Sequence, residues 1–368
     1  MATSLFGFGR HSCRNLGFSA VAGLAATGNM KGSRVDAQVD ATTQPQLRFG
    51  AIADVQFADV PDAWNFKKTT RRRYRGALTS LSLAMDDWRH GPKLAFIADL
   101  GDIIDQQCES NGTSRDALAK VLQQFERAPA PVYHLVGNHE LYNFNRFELR
   151  DLIPNIHPWY HSFRPAPGWR VVVLDAYDLN VVERGGGAGL EEAFDYLGRH
   201  NPNDLRAPRG SVDLQKGLEG LEKRFVPMAG AVGKAQLSWL ANQLRDAEVA
   251  AEQVIMLTHV PVLPEAAVPG ALIWNYEEVL EVLRSVRAGV VALVLAGHYH
   301  SGGYSRDAGT GTHHVTLESP LNTLPETPEA HCIIEAWNDR LEIKGRGIVP
   351  SRILALIPHT IGAVTARL

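Results

Sequence analysis

Cysteine is scarce in this chain of 368 residues, which contains only three. Cys13, Cys108 and Cys332 are an odd number at scattered positions, and no two of them form a CxxC pair. They therefore exclude a disulfide framework and a cysteine-ligated zinc site. This cysteine usage favours a reducing, intracellular compartment.

The sequence also lacks a long apolar run and an excess of charge of either sign. No run approaches the ~18 residues that a membrane span requires, so we expect a soluble protein without membrane contact. Lys and Arg total 37 against 40 Asp and Glu, and the net charge of −3 gives no reason to expect nucleic-acid binding. Hydrophobic residues make up 45% of the chain, which is typical of a globular protein with a sizeable core.

The beginning of the chain differs in composition from the rest. Acidic residues are absent before Asp36, and arginines stand among Ser, Thr and Gly. This pattern is typical of an organelle transit peptide, with a disordered tail and a secretory signal as alternatives. We predict a disordered or targeting extension over 1–45, a folded domain over 46–353 and a C-terminal tail over 354–368. The expected location is cytoplasmic, or plastid or mitochondrial if the extension is a transit peptide.

Within the domain, short apolar runs alternate with segments of helical periodicity. The order over 47–136 is strand, helix, strand, helix, strand, which predicts a parallel sheet with crossover helices. Residues 183–232 interrupt the alternation with a glycine run and mixed charges, and we interpret them as a partly helical insertion that caps the substrate. Three later alternating segments predict a second sheet packed on the first: 313–317, 331–337 and 341–344.

Polar clusters follow five of the apolar runs, at the points where the predicted strands end. Because the carboxyl ends of parallel strands meet at one edge of a sheet, we expect these side chains to converge. Each cluster alone is explained by a turn, a helix cap or a buried histidine, but five of them together are not. The residues concerned are Asp54, Gln56, Asp102, Asp105, Asn138, His139, His259, His298 and His300.

Asp, Asn, Gln and His side chains are ligands for hard to borderline divalent metals. Mn²⁺, Fe²⁺ and Zn²⁺ fit this donor set best, and Mg²⁺ is a further candidate. The set is too large for one ion, so we predict two divalent ions that share one carboxylate. Such a pair lowers the pKa of a water between the ions and neutralises charge on a phosphoryl group during hydrolysis.

The five motifs read Asp-x-Gln, Gly-Asp-x-x-Asp, Gly-Asn-His-Glu, His and Gly-His-x-His, and in this order they resemble the calcineurin-like metallophosphoesterase superfamily. That family usually has Asp-x-His at the first motif, where this chain has Gln56. The resemblance implies an α/β fold of the αββα sandwich type, with two packed mixed sheets flanked by helices. It also implies one metal held by Asp54, Gln56, Asp102 and His300, and a second held by Asp102, Asn138, His259 and His298.

The same resemblance implies roles for residues beyond the metal ligands. His139 is expected near the phosphate oxygens as a general acid or electrostatic stabiliser, with the Asp105 carboxylate orienting its imidazole. Phe66 is expected to stack on a nucleotide base, and the arginine run from Arg71 to Arg73 to meet the second phosphate. Without the resemblance, Phe66 is a core residue and the arginines are the solvated start of a helix predicted over 70–88, where acidic residues would suit the helix N-terminus better.

A narrower resemblance rests on Gln56, the arginine run, Trp274-Asn275-Tyr276 and the segment 344–347. This narrower resemblance is to a branch of the superfamily that uses manganese to hydrolyse the pyrophosphate bond of ADP-ribose and CDP-alcohols. It implies small nucleotide-diphosphate substrates and attack by a hydroxide between the metals; we expect a monomer.

Two alternatives stay open. One keeps the metals and changes the substrate to a phosphomonoester or a cyclic nucleotide. The other is a catalytically weak protein-binding scaffold, which the presence of both His139 and Asp105 disfavours.

Overall fold

The computed structural model describes residues 44–357 apart from residues 66, 67 and 209. All but the end of the predicted extension over 1–45, and most of the predicted tail over 354–368, lie outside the described residues. The strands are β1 (Leu47–Ile52), β2 (Ala63–Trp64), β3 (Arg71–Arg72), β4 (Phe96–Asp99), β5 (Val132–His134), β6 (His161–Ala166), β7 (Trp169–Val173), β8 (Gln253–Leu257), β9 (Val291–Ala296), β10 (Ser301–Arg306), β11 (His313–Glu318), β12 (Ala330–Ala336), β13 (Arg340–Gly347) and β14 (Arg352–Ala355). The helices are α1 (Tyr74–His90), α2 (Gln107–Ser110), α3 (Ser114–Phe125), α4 (Asn138–Asn143), α5 (Arg146–Leu152), α6 (Leu190–Gly198), α7 (Lys234–Val249) and α8 (Tyr276–Arg284).

Two six-stranded sheets form the centre of the fold. The first has the order β14-β13-β12-β1-β4-β5, and the second has the order β10-β11-β9-β8-β7-β6. β1, β4 and β5 run parallel in the first sheet, and β7, β8, β9 and β11 run parallel in the second. The other pairs are antiparallel. Both sheets are therefore mixed, as the family resemblance implied.

The inner faces of the two sheets pack on each other. Phe49 and Phe96 of the first sheet stack with ring centroids 4.7 Å apart. They belong to one buried apolar cluster with Val171, Ile255 and Leu293 of the second sheet. The outer faces are covered by α1, α3, α7 and α8, whose apolar stripes form a second buried cluster. The layers are thus helices, sheet, sheet and helices, so the predicted αββα sandwich is confirmed.

The strands near the C-terminus do not form a sheet of their own, so that prediction was wrong. β11 joins the parallel strands of the second sheet, whereas β12, β13 and β14 extend the first sheet beside β1. The alternating pattern predicts the strands themselves, but it carries no information on which distant edge they pair with. β14 ends at Ala355, so ordered structure continues into the predicted tail.

The arginine run does not begin a helix. Helix α1 begins at Tyr74, later than the expected start at residue 70, and Arg71 and Arg72 form β3 in a short hairpin with β2. Arg71 and Arg72 therefore precede the helix, and of the run only Arg73, the N-cap residue of α1, lies at the positive end of the helix dipole that disfavours a basic helix start.

The 183–232 segment is partly helical, as predicted. It contains α6 and a short 3-10 helix over Gly220–Arg224. Its end returns to the sandwich, because Leu179 and Ala231 exchange two backbone hydrogen bonds of 2.9 Å. Within the described part of the chain, no helix has the length and apolarity to cross a membrane.

Candidate metal centre

The loops that follow five parallel strands carry the five polar clusters. These strands are β1, β4 and β5 of the first sheet and β8 and β9 of the second. The loops hydrogen-bond one another beyond the strand ends, since the Asp54 N–H donates to the Gly101 carbonyl at 3.0 Å and the Gln56 N–H to the Asp102 carbonyl at 2.8 Å. The side chains at these ends consequently share one cluster, as the rule for parallel strands predicts.

Four of the predicted ligands have a left-handed backbone. The φ angles of Asp54, Gln56, Asp102 and His298 are +52°, +44°, +59° and +66°. A non-glycine residue in this region costs of order 1–3 kcal/mol and persists only where the surrounding structure holds it. Such outliers are typical of functional sites, where the fold fixes side chains in advance of a ligand.

Glycines leave the space that the carboxylates fill. A Cβ on Gly137 would lie 2.7 Å from Cγ of Asp102 and closer still to its Oδ1. A Cβ on Gly297 would lie 2.6 Å from Oδ2 of Asp54. Gly101 has φ +95°, and its Cβ would lie 3.0 Å from Nδ1 of His259. Close packing around the cluster therefore leaves no room for a Cβ at these three positions, so only glycine fits there.

Asp102 lies at the centre of the cluster. Its Oδ1 accepts a hydrogen bond from the backbone N–H of His139 at 2.7 Å. Its Oδ2 is 3.1 Å from Nε2 of Gln56 and 3.3 Å from Nε2 of His259. Nδ1 of His259 is 2.7 Å from the Leu100 carbonyl and therefore carries the proton of the neutral ring. The lone pair on Nε2 then faces the Asp102 carboxylate, an arrangement that calls for a cation between the two atoms.

Asp54, Gln56 and His300 lie on the other side of Asp102. Both oxygens of Asp54 accept from the backbone N–H of His298, at 3.0 and 2.9 Å. Nε2 of His300 is 3.6 Å from Oδ1 of Asp54 and 2.9 Å from Nε2 of Gln56. Oε1 of Gln56 is buried and has no hydrogen-bond partner. Carboxylate, amide and imidazole groups, all of metal-binding type, are thus neighbours on this side of Asp102.

Burial and mutual charge set the protonation of the cluster. Burial raises the pKa of Asp54 to about 8 and lowers the pKa of His298 to about 3. Burial opposes the ionisation of Asp102, but the neighbouring His259 holds the pKa of this carboxyl below its usual range. Burial likewise lowers the pKa of His259, but the Asp102 charge outweighs burial and raises this pKa to about 10, so that a proton on Nε2 can supply the positive charge that a metal ion would otherwise supply there. The buried carboxyl groups of Asp54 and Asp102 therefore both require neighbouring positive charge in order to ionise.

The residues present fit a divalent metal. Gln56 Oε1 and His259 Nε2 are buried acceptors without a hydrogen-bond partner. The donors are oxygen and imidazole nitrogen, the set that suits Mn²⁺, Fe²⁺ and Zn²⁺. One ligand atom from each of three residues lies within 4.8 Å of the others: Asp102, His259 and His298.

Asn138 reaches the cluster at the first residue of α4. The side chain of this residue is buried, and its Oδ1 is 3.0 Å from the hydroxyl of Tyr177. Tyr177 is fully buried, and its ring centroid is 5.9 Å from that of His259. Sequence reasoning missed Tyr177, although it follows β7 at the same strand edge as the predicted ligands.

His139 has a defined tautomer. Its Nδ1 accepts from the backbone N–H of Gln106 at 2.9 Å and is 3.4 Å from Oδ2 of Asp105. The neutral ring therefore carries its proton on Nε2 and is a hydrogen-bond donor there. The predicted partner Asp105 is present, but the backbone amide of Gln106 is the nearer one, and no side-chain pattern could have predicted it.

Glu140 is a further residue that sequence reasoning left without a role. Its carboxylate accepts from the backbone N–H groups of Gly137, Asp102 and Ile103, at 2.7, 2.7 and 2.8 Å. It thereby ties the loop after β4 to the start of α4. Burial raises the pKa of Glu140 to about 8. The sequence signal is a Glu at the third position of a helix start, the acidic half of a capping box.

The arginine run lies at the rim of the cluster. Arg71 and Arg73 line a cavity of about 530 Å³ together with the exposed Trp64. The charge of Arg72 adds to burial in lowering the pKa of His300. This effect indicates that Arg72 is nearer to the metal ligands than Arg71 and Arg73 are. Nε of Arg72 is buried without a hydrogen-bond partner. Phe66 lies outside the described residues, so its stacking role stays a prediction.

The fold and the cluster define a class of protein. Residues 47–302 match the calcineurin-like phosphoesterase model, and the chain belongs to this family. The predicted family, and with it the prediction of a metal-dependent hydrolase, is confirmed.

Particular relatives narrow the class. The chain is 40% identical, over 82% of its length and 92% of the relative's, to the manganese-dependent ADP-ribose/CDP-alcohol diphosphatase of Oryza sativa subsp. japonica. It is 36% identical to the protein of the same name from Homo sapiens, over 83% of its length and 92% of the relative's. A solved dimetal phosphatase from Danio rerio superposes with a TM-score of 0.78 at 37% identity, covering 85% of this chain and 100% of that one. The prediction of two divalent ions, with manganese favoured, agrees with these names.

Proposed function

We propose that this protein hydrolyses the pyrophosphate bond of ADP-ribose and of CDP-alcohols. The products are AMP and ribose 5-phosphate, or CMP and a phosphoalcohol. The observation that carries the proposal is the Asp102 carboxylate, which has Gln56 and His259 around one oxygen, as a ligand shared by two ions requires. The names of the relatives support the substrate class.

We propose the two ligand sets that the family resemblance implies, and the neighbours on the two sides of Asp102 support them. When bound, two divalent ions supply a water of lowered pKa and neutralise charge on the attacked phosphate. One ion would be held by Asp54, Gln56, Asp102 and His300, and the other by Asp102, Asn138, His259 and His298. The backbone amide of His139 keeps Asp102 in place between the two sets.

His139 acts as a hydrogen-bond donor to the departing phosphate. The Gln106 N–H occupies Nδ1, so the proton on Nε2 is the one available to substrate. The leaving group is a phosphate monoester whose second pKa is about 6, so it departs as a weak base that needs a hydrogen bond more than a full proton. Hydrogen-bond donation from Nε2 to the developing negative charge is therefore the main role of this imidazole, and the Asp105 carboxylate lies 3.4 Å from Nδ1.

The arginine hairpin binds the rest of the substrate. Arg72, beside His300, is placed for a phosphate oxygen that the metals leave free, and a guanidinium forms bidentate bonds to such groups. Arg71, Arg73 and Trp64 line the adjoining cavity, where a charged and an aromatic surface suit the remaining phosphate and a base or sugar. These positions support the predicted phosphate-binding role of the run from Arg71 to Arg73.

A turnover panel on the full chain tests the proposal. ADP-ribose, CDP-choline, cyclic AMP and p-nitrophenyl phosphate are each incubated with Mn²⁺, with Mg²⁺ or with a chelator. We expect manganese-dependent release of AMP from ADP-ribose and of CMP from CDP-choline. Turnover of only the monoester or the cyclic nucleotide would retain the metal centre and refute the substrate. Bound metal without any turnover would favour a binding scaffold instead.

A further inference from the structure

The hydroxyl of Tyr177 has two oxygen neighbours and one proton. Oη is 3.0 Å from Oδ1 of Asn138 and 3.1 Å from the backbone carbonyl of Met228. A phenol donates one hydrogen bond and accepts others, whereas a carbonyl only accepts. The phenol proton therefore serves one of the two oxygens, and the other must be satisfied in a different way.

The Met228 carbonyl only accepts, and the structure gives it the phenol hydroxyl as a donor, whereas the Asn138 amide can adopt a second orientation. A half-turn of the amide exchanges Oδ1 and Nδ2 in nearly the same space, so hydrogen bonds decide which end faces Tyr177. With Nδ2 toward the phenol, the amide donates to Oη, the phenol donates to Met228, and both contacts are satisfied. The opposite arrangement takes the phenol proton away from the Met228 carbonyl and turns an N–H₂ group toward the position of the cation, and both changes are unfavourable.

We propose that Tyr177 is a positioning residue that holds the Asn138 amide with Oδ1 toward the second metal. The inference rests on the proposed role of Asn138 as a ligand. It gives the 183–232 segment a function at the site, because the carbonyl of Met228 in this segment fixes the direction of the phenol proton.

The phenol is held rigidly enough for this task. The Tyr177 N–H donates to Oδ1 of Asp175 at 2.9 Å, and the Tyr177 carbonyl accepts from Nη2 of Arg146 at 2.8 Å. Nη1 of Arg146 is 2.9 Å from Oδ2 of Asp175, which closes this group of contacts. The ring is fully buried, so it has no room to turn away from Asn138.

The end of the insertion is equally fixed. Gly230 packs so tightly on the backbone after β7 that a Cβ there would overlap the Ala176 carbonyl. The next residue along the chain, Ala231, exchanges two backbone hydrogen bonds with Leu179. Met228 thus presents its carbonyl from a segment whose position is set by the same loop that carries Tyr177.

Metal binding in a set of variants tests the inference. The affinity for the second Mn²⁺ is measured by calorimetry, and the coupling between two bound Mn²⁺ ions by electron paramagnetic resonance, in wild type, Tyr177→Phe, Asn138→Asp and the double variant. We expect Tyr177→Phe to weaken the second Mn²⁺ by about 10- to 100-fold, as loss of an orienting partner does. In the Asn138→Asp background the same change should cost less than about 3-fold, because both ends of a carboxylate are oxygen.

Tyr304→Phe is the matched control. Its hydroxyl is 3.2 Å from Nδ1 of His313, and neither residue is a predicted ligand. This variant should bind two Mn²⁺ ions as wild type does. An equal loss from Tyr177→Phe in both backgrounds, or no loss in either, would overturn the inference. Full Mn²⁺ binding by a further variant, Asn138→Ala, would instead refute the ligand role of Asn138. The turnover panel would then decide separately whether the proposed activity is correct.

A measurement on the wild type covers the case in which Tyr177→Phe does not fold. In metal-free protein labelled with ¹⁵N at asparagine, a nuclear Overhauser effect is expected between the Asn138 side-chain NH₂ and the ε protons of the Tyr177 ring. Its absence, with the amide resonance assigned, would contradict the proposed orientation.

Discussion

Replacing Gly137 by Ala should displace the carboxylate on which both proposed metal sites depend. Gly137 has φ −105° and ψ 176°, an extended backbone that alanine adopts without strain. The substitution therefore acts through the new Cβ alone. That atom would lie 2.7 Å from Cγ of Asp102, whereas two carbon atoms prefer about 3.5–4.0 Å. The Asp102 side chain must move by roughly 1 Å, a displacement that commonly costs about 100-fold in rate.

The displacement also weakens the hydrogen bond from the His139 amide to Asp102, a bond to a charged group that contributes about 1.5–3 kcal/mol. The assay compares bound Mn²⁺ per chain and turnover of ADP-ribose in Gly137→Ala and in Gly198→Ala. Gly198 ends α6, and a Cβ there meets nothing within 4 Å, so this control should behave as wild type. Wild-type metal content and turnover in Gly137→Ala would refute the central position assigned to Asp102.

Other substitutions separate catalysis, positioning and folding. His139→Ala should lower turnover by about 10²- to 10⁴-fold at unchanged Mn²⁺ per chain, and retained turnover would contradict its role as donor. Glu140→Gln leaves one of three backbone N–H groups facing an amide N–H₂, so the free energy of unfolding in urea should fall by about 2 kcal/mol; an unchanged midpoint would contradict this. Gly50→Ala places a Cβ 2.8 Å from Cε2 of Trp88, so the unfolding free energy should fall by about 1–3 kcal/mol with Mn²⁺ binding intact, and an unchanged melting temperature would argue against this contact.

The sequence was most informative where chemistry and strand ends coincide. Asp54, Asp102 and His259 each follow an apolar run, and the rule for parallel strands is enough to bring them to one edge. The same rule could not assign a role to Tyr177, because an aromatic residue after a strand is far more often part of the core. Its function depends on the carbonyl of Met228, and backbone carbonyls leave no trace in a sequence.

The fold was predictable in its layers and not in its pairing. Hydrophobic periodicity located most helices and strands, since burial of one face dictates the pattern. It could not place β12, β13 and β14, because β12 pairs with β1 at the other end of the domain, and β13 and β14 then add beside β12. The start of α1 was placed too early for a similar reason, as the pairing of β3 with β2 in a short hairpin depends on contacts that propensity does not encode.

The pairing of β1 with β12 has a consequence for biosynthesis. Leu47 lies opposite Ala336, and Ala51 opposite Cys332, so β1 has β4 on one side and an open edge on the other until residues 330–336 have left the ribosome. Long-range pairing of this kind is slow to form and exposes unpaired strand edges meanwhile. Asp54 and Gln56 follow β1 directly, so their left-handed backbone cannot be held in place by a finished sheet during translation. We therefore expect metal loading to follow completion of the chain, and a nascent chain cut before β12 should be found with chaperones rather than with manganese.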